Sequence, residues 1–172
     1  MNSKHLPFLV TTLATVFACG DGGDAQTGGG GSALEDPAAD ACEHLATGPF
    51  VDVAASDMAT GAPDVSAEHT VHRVTLGGAP LAGYVSFGAT EASEVSFYTD
   101  EVVTLTLEDS SGATLDWETA CTSDCTSACA EVATGYTIDL SSVGTYALRM
   151  ESPGPTEVNL VVVLGGHEHE HE

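Results

Sequence analysis

From residue 50 onward apolar and polar residues alternate, and turn-forming clusters break the alternation every 8–12 residues or so. In "VVTLTLED" (102–109) Val103, Leu105 and Leu107 fall on one side, and Thr104, Thr106 and Glu108 on the other. In "SEVSFYT" (93–99) Val95 and Phe97 alternate with Ser96 and Tyr98, and in "TYALRMES" (145–152) Tyr146, Leu148 and Met150 share a side. Successive side chains of an extended strand point to opposite faces, so this is the pattern of a half-buried strand. Runs 50–56, 70–76, 83–89, 113–119, 136–141 and 156–164 read the same way. The separators "GGAP" (77–80), "DSSG" (109–112), "SSVG" (141–144) and "SPGP" (152–155) supply turn chemistry. Such spacing predicts an all-β chain, an antiparallel β-sandwich of eight or nine short strands within residues 34–164. No long amphipathic helix is evident. Residues 34–48 are expected to hold one short helical turn, stopped by Gly48-Pro49.

The start of the chain has another character. "MNSKHLPFLVTTLATVFA" (1–18) places Lys4 before a mostly apolar run from Leu6 to Ala18, and no acidic residue precedes Asp21. That is the pattern of a secretory signal, too short to span a bilayer as a mature helix. The run meets a cysteine at Val16-Phe17-Ala18-Cys19. Here the sequence resembles the bacterial lipoprotein signal, with Phe17 where a small residue is usual. The resemblance implies cleavage before Cys19, lipidation of Cys19, and, with Gly20 following, an outer-membrane destination. Residues 20–33, "GDGGDAQTGGGGSA", are too rich in glycine to bury a core and are expected to form a flexible tether. The predicted organisation is signal peptide 1–18, lipidated tether 19–33, sandwich 34–164 and tail 165–172.

Charge narrows the partners. Lysine and arginine total 3 against 26 acidic residues. Cleavage after Ala18 would remove Lys4, leaving Arg73 and Arg149 as the only basic side chains besides histidine. No basic patch can be assembled from two arginines, so nucleic acid is excluded as a partner. The expected membrane contact is the lipid anchor, and the surface is expected to attract cations. No protein partner is specified.

Four further cysteines, Cys42, Cys121, Cys125 and Cys129, follow the proposed anchor. An even number in an exported chain implies disulfides, with three pairings open. Cys42 joined to one member of "CTSDCTSAC", with a second bridge inside that cluster, is the expected arrangement. A thiolate site for zinc or copper(I) is the alternative, and an oxidising compartment disfavours it.

Histidine is the other signal. The chain ends in "GGHEHEHE", which in an extended conformation sets His167, His169 and His171 on one side and three glutamates on the other. Neutral imidazoles are donors for Zn2+, Cu2+ or Ni2+, and neighbouring carboxylates add attraction. A solvated acidic terminus and a purification tag are the alternatives. The segment formally matches H-E-x-x-H, but a protease needs that motif on a helix inside a closed cleft, and no core can form around this one. In the body, His44, His69 and His72 are candidate ligands, with Glu43 or Glu68 beside them. His69 and His72 are three apart at a strand entrance, hence on opposite faces. His72 shares the parity of Val74 and Leu76 and is expected to point inward. His69 and His72 can share a metal only if His69 lies in an irregular loop.

No nucleophile elbow, phosphate loop or dinucleotide fingerprint is present, and no lysine would survive signal cleavage. Glu108-Asp109 reads as a solvated turn. No catalytic residue is assigned. "EVVTLTLEDSSGATLDW" and "SVGTYALRMES" resemble the strand–turn–strand rhythm and the "GTY" strand entry of pre-peptidase C-terminal β-sandwiches, over residues 82–164. That resemblance implies a non-catalytic module of a secreted protein. Two functions are therefore expected: binding or buffering of divalent transition metal by an anchored lipoprotein through its tail histidines His167, His169 and His171, helped by His44, His69 and His72, or a structural and interaction module at the cell envelope.

Overall fold

The computed structural model describes residues 36–122 and 129–165. The signal, Cys19, the tether, Cys125 and the tail histidines lie outside these residues. One helix, α1 (Pro37–Thr47), precedes ten strands. They are β1 (Phe50–Ala54), β2 (Val71–Thr75), β3 (Leu81–Ala89), β4 (Glu94–Thr99), β5 (Thr104–Glu108), β6 (Thr114–Leu115), β7 (Thr119–Cys121), β8 (Thr134–Asp139), β9 (Gly144–Ser152) and β10 (Glu157–Leu164). A six-stranded sheet runs β1-β2-β10-β4-β8-β7, and a four-stranded sheet runs β3-β9-β5-β6. The chain is an all-β sandwich, as its alternation predicts.

The inward faces are the ones the alternation selects. Val103, Leu105, Leu107, Tyr146, Leu148 and Met150 are all buried between the sheets, facing Val95 and Phe97 of the opposite layer. Run 113–119 divides rather than forming one strand. β6 pairs with β5, whereas β7 pairs with β8 in the other sheet. Trp117 sits at this crossing, its ring centroid 5.8 Å from that of Phe97 and 5.0 Å from that of Tyr136. Its indole N–H donates to the Leu105 carbonyl at 3.0 Å, so a large ring closes the core while its polar atom is satisfied.

The sheet pairing differs from the expectation in one place. β1 and β2 are parallel, with Phe50 opposite Val71 and Ala54 opposite Thr75. A parallel pair cannot be joined by a tight hairpin. The connection instead runs along the free side of β3, where Ser56 bridges Tyr84 and Asp64 bridges Ser86, and then returns to begin β2.

β10 explains the helix. Its inward residues Val158, Leu160 and Val162 enter the sandwich core, while Val161 and Val163 face outward and are buried too. An apolar outer face needs a cover. Ala38 and Ala41 of α1 pack over Val71, Tyr98, Val161 and Val163, and two alanines let the helix lie close. Three helical turns form where one was expected, because the local signals are strong. Asp36 caps the N-terminus by accepting from the Ala38 N–H at 3.0 Å, Pro37 occupies the first turn, and Gly48 ends the helix.

The Cys42–Cys129 disulfide ties this helix to the segment before β8, with a separation of 87 residues. This is the expected joining of Cys42 to the cluster. Cys121 is disulfide-bonded as well, and the rest of that bridge lies outside the described residues. The loop-entropy account assigns a crosslink across such a span about 4–5 kcal/mol. The C42S/C129S double variant should lose stability of that order in urea unfolding, with the sandwich strands retained in far-UV circular dichroism of the folded protein.

Candidate metal centre

Asp40 and His44 stand one helical turn apart on the same flank of α1, the relation in which side chains four residues apart meet. The Asp40 carboxylate lies 3.3 Å from His44 Nε2. A third group arrives from elsewhere in the chain. His69 Nδ1 is 2.9 Å from His44 Nε2 and 3.7 Å from the second Asp40 oxygen. Asp40 and His44 are largely buried, whereas the His69 side chain is 41% exposed and leaves the cluster open on that side.

The orientation of each donor has a local cause. Gly48, the helix cap, donates its N–H to the His44 carbonyl at 2.8 Å and accepts from His44 Nδ1 at 3.3 Å. The acceptor is a carbonyl, so Nδ1 carries the proton and the Nε2 lone pair faces His69. Gly48 has φ +79°, and a Cβ there would stand 2.6 Å from the Phe50 ring. A left-handed backbone and a close neighbour both require glycine. His69 also has a left-handed backbone, φ 54°, which is uncommon for a residue with a side chain. At this irregular turn the His69 ring meets His44 rather than His72.

The loop is held on both sides of the turn. Val65 is buried and donates its N–H to the Ser86 carbonyl at 2.8 Å, and Gly88 N–H donates to the Ser66 hydroxyl at 2.7 Å. Beyond the turn, the Thr70 hydroxyl donates to the Glu68 carbonyl at 3.1 Å. His72 points inward as its parity predicts, 3% exposed, with Nε2 at 3.4 Å from the Ala67 carbonyl. Burial lowers its pKa from the usual imidazole value; the Ala67 hydrogen bond and the Asp64 charge act weakly the other way.

Asp40, His44 and His69 therefore form a cluster whose donor atoms all lie within 4.8 Å of one another. A tetrahedral zinc ion with bonds of about 2.0–2.1 Å needs ligand atoms about 3.3 Å apart. The separations of 2.9, 3.3 and 3.7 Å bracket that value. Two imidazoles and one carboxylate leave a fourth position free. The His44 contact to Gly48 is the kind of outer hydrogen bond that fixes a ligating ring.

Of the three body histidines named from the sequence, the structure sets His44 and His69 side by side. His72 faces the interior and takes no part. Among the carboxylates, Asp40 joins the pair, not Glu43 or Glu68. The signal for Asp40 was present as Asp-x-x-x-His, which needed a helix of three turns to be read. His167, His169 and His171 lie outside the described residues. A second carboxylate group, Glu94, Glu118 and Asp139, lies on the exposed surface. Asp109 is a turn residue: the Ser111 hydroxyl and the backbone N–H groups of Ala113 and Ser111 bond its carboxylate and hold it below the usual carboxylate range. Both arginines are engaged by neighbours, Arg73 with Asp52 and Arg149 with Glu151, each at 2.7 Å. No helix among the described residues is long and apolar enough to cross a membrane. No known protein family matches the chain, and no curated protein matches it.

His72 supplies a pH test. A depressed folded-state pKa means that, below about 6.5, the unfolded chain takes up a proton that the folded chain refuses. Its contribution to stability is present above that pH and is lost as pH falls toward 5. The H72Q variant should therefore show a shallower fall in urea-unfolding free energy between pH 7 and pH 5 than the parent chain; equal slopes would remove His72 as the source.

Proposed function

We propose that this chain is an exported lipoprotein, anchored at the outer membrane through Cys19, that binds or buffers a divalent transition metal. Zinc is the first choice, and Cu2+ or Ni2+ would suit the same donors. The observation that carries this reading is the convergence of Asp40, His44 and His69 from two separate segments. Nothing in the sandwich core requires a polar cluster there. A cleaved chain with 26 acidic residues against two arginines raises the local cation concentration. The tail histidines His167, His169 and His171 are taken as additional donors. No reaction is assigned.

A second reading, an interaction module at the envelope, is favoured by one feature. β1 is an edge strand of its sheet, and Phe50 and Val51 on it are 44% and 47% exposed. Such an edge can receive a strand from another protein.

Zinc titration of the full chain at pH 7.5, followed by NMR of the imidazole resonances, separates the two. The His44 and His69 signals should shift together. The H44Q/H69N double variant should weaken zinc binding on the order of 100-fold, since losing ligands costs at least as much as losing their outer hydrogen bonds. Asparagine tolerates the left-handed backbone at position 69. Affinity should fall as the pH is lowered, because only neutral imidazole donates to metal. Unshifted His44 and His69 signals at saturating zinc would overturn the body centre, and no zinc binding by the full chain would overturn the metal reading.

A further inference from the structure

The outer face of the four-stranded sheet carries side chains that the core does not use. On β3, Ala82, Tyr84 and Ser86 alternate with buried Gly83, Val85 and Phe87. On β9, Ala147, Arg149 and Glu151 alternate with buried Tyr146, Leu148 and Met150. The register sets Ala82 opposite Glu151, Tyr84 opposite Arg149 and Ser86 opposite Ala147. These outward positions are half-buried, so something stands beside them.

Two segments rise above this floor. Ser56 and Tyr84 exchange two backbone hydrogen bonds at 2.8 and 2.9 Å. Pro63 and Val65 bond the Ser86 backbone at 2.7 and 2.8 Å. Residues 57–62 therefore leave the edge of β3 and return to it one outward position further on, which makes them a projecting loop. The Ser86 hydroxyl donates to the Ala62 carbonyl at 3.0 Å and ties that loop to the floor. On the other side stands the turn 109–112, closed by the Gly112 N–H on the Asp109 carbonyl at 2.9 Å. Small side chains between two anchored segments make a preformed groove. One part is a cavity of about 400 Å³ beside Gly61, Ser86, Asp109, Ser111 and Ala147. The other is a cavity of about 310 Å³ beside Asp57, Pro80, Tyr84 and Arg149. Tyr84 and Ser86 are successive outward positions, as are Arg149 and Ala147, so the two cavities follow one another along the strands. The floor from Ala82 to Gly88 is roughly 20 Å long at about 3.4 Å per residue, and volumes of this size are those of ligand sites.

The chemistry narrows the occupant. A peptide strand needs a free sheet edge for its backbone, and Ser56 and Asp64 already bridge the edge of β3 here. An anion meets a chain of formal charge −23, and Arg149, the basic side chain of the floor, is engaged by Glu151 at 2.7 Å. A neutral ligand rich in hydroxyls suits what remains. Asp57 and Glu108 accept hydroxyl protons, and the Arg149 guanidinium has more N–H groups than Glu151 takes up. Tyr84 adds a flat ring whose electron-rich face suits the C–H face of a sugar. We propose that this groove binds a neutral oligosaccharide, stacked on Tyr84 and hydrogen-bonded by Asp57, Arg149 and Glu108. The groove lies on the opposite side of the sandwich from α1 and does not rest on the metal-binding reading.

The test titrates the full chain with neutral hexamers of β-1,4-glucose, α-1,4-glucose and β-1,4-N-acetylglucosamine, followed by NMR. Oligogalacturonate and oligolysine serve as charged probes. At least one neutral hexamer should shift the Tyr84 and Ala147 signals in a saturable way. Y84A should weaken its binding on the order of 10-fold, the worth of an aromatic contact, whereas Y84F should bind as the parent does. A147L raises the floor between the cavities, keeps every polar group and should abolish binding. D57N and R149Q alter only half-exposed or exposed side chains, keep the fold independently of the other variants, and should each weaken binding several-fold. H44Q/H69N should bind the sugar like the parent; loss of binding there would overturn the placement. Absence of shifts with every neutral hexamer at millimolar concentration, or shifts that A147L, D57N and R149Q leave unchanged, overturns the groove. Tighter binding of oligogalacturonate or oligolysine at the same signals overturns the choice of a neutral sugar.

Discussion

The burial of β10 on both faces is the constraint from which the rest of the architecture follows. A sandwich of two sheets gives each strand one dry face and leaves the other to water. β10 and its neighbours place Val71, Tyr98, Val161 and Val163 on what would be the wet face. Leaving them exposed would cost about 1.5–3 kcal/mol for each large side chain, so a third layer is required. The helix supplies it with small residues, and the Cys42–Cys129 bridge fixes it in place. The metal-competent flank of α1 is a by-product of that packing. Once Ala38 and Ala41 face the sheet, helix geometry turns Asp40 and His44 to one side.

The other half of the centre depends on a different kind of constraint. His69 occupies a left-handed turn, a conformation that ordinarily gives way to an extended one unless its surroundings hold it. Val65 and Ser66 fix the chain before it, and buried His72 and Val71 fix it after. The cluster thus joins a rigid helix flank to a loop pinned at both ends. Pre-placed donors lower the entropy that a metal would have to offset on binding.

Most of the sandwich was legible because period two survives translation from sequence to structure without knowledge of partners. The inward residues of β5, β9 and β4 follow directly from alternation. What alternation does not contain is which strands pair. The parallel β1–β2 pair and the division of run 113–119 between two sheets depend on distant neighbours, Trp117 and the loop along β3 among them. The continuous apolar run "LVVVL" (160–164) of β10 did carry the information that both of its faces are covered. Read together with Asp36, Pro37 and Gly48, it implied a helix of more than one turn. The site was half legible for the same reason. His44 and His69 stood out by type, and Asp40 became visible only through the helical period that the short-turn reading removed.

The acidic composition and the histidine chemistry act on one another. An acidic surface draws cations of every kind without discrimination, because a long-range field reads only charge. Selectivity has to come from donor type at short range, and imidazole nitrogen distinguishes zinc, copper and nickel from the more abundant magnesium and calcium. A domain that carried only carboxylates would fill with the common ions. If the cluster binds metal as proposed, two imidazoles beside one carboxylate would keep the attraction and add the discrimination. The carboxylate that matters is the one buried against the helix flank, where water screens it least. On that reading the many exposed acids would concentrate the ion, and Asp40 would help to hold it.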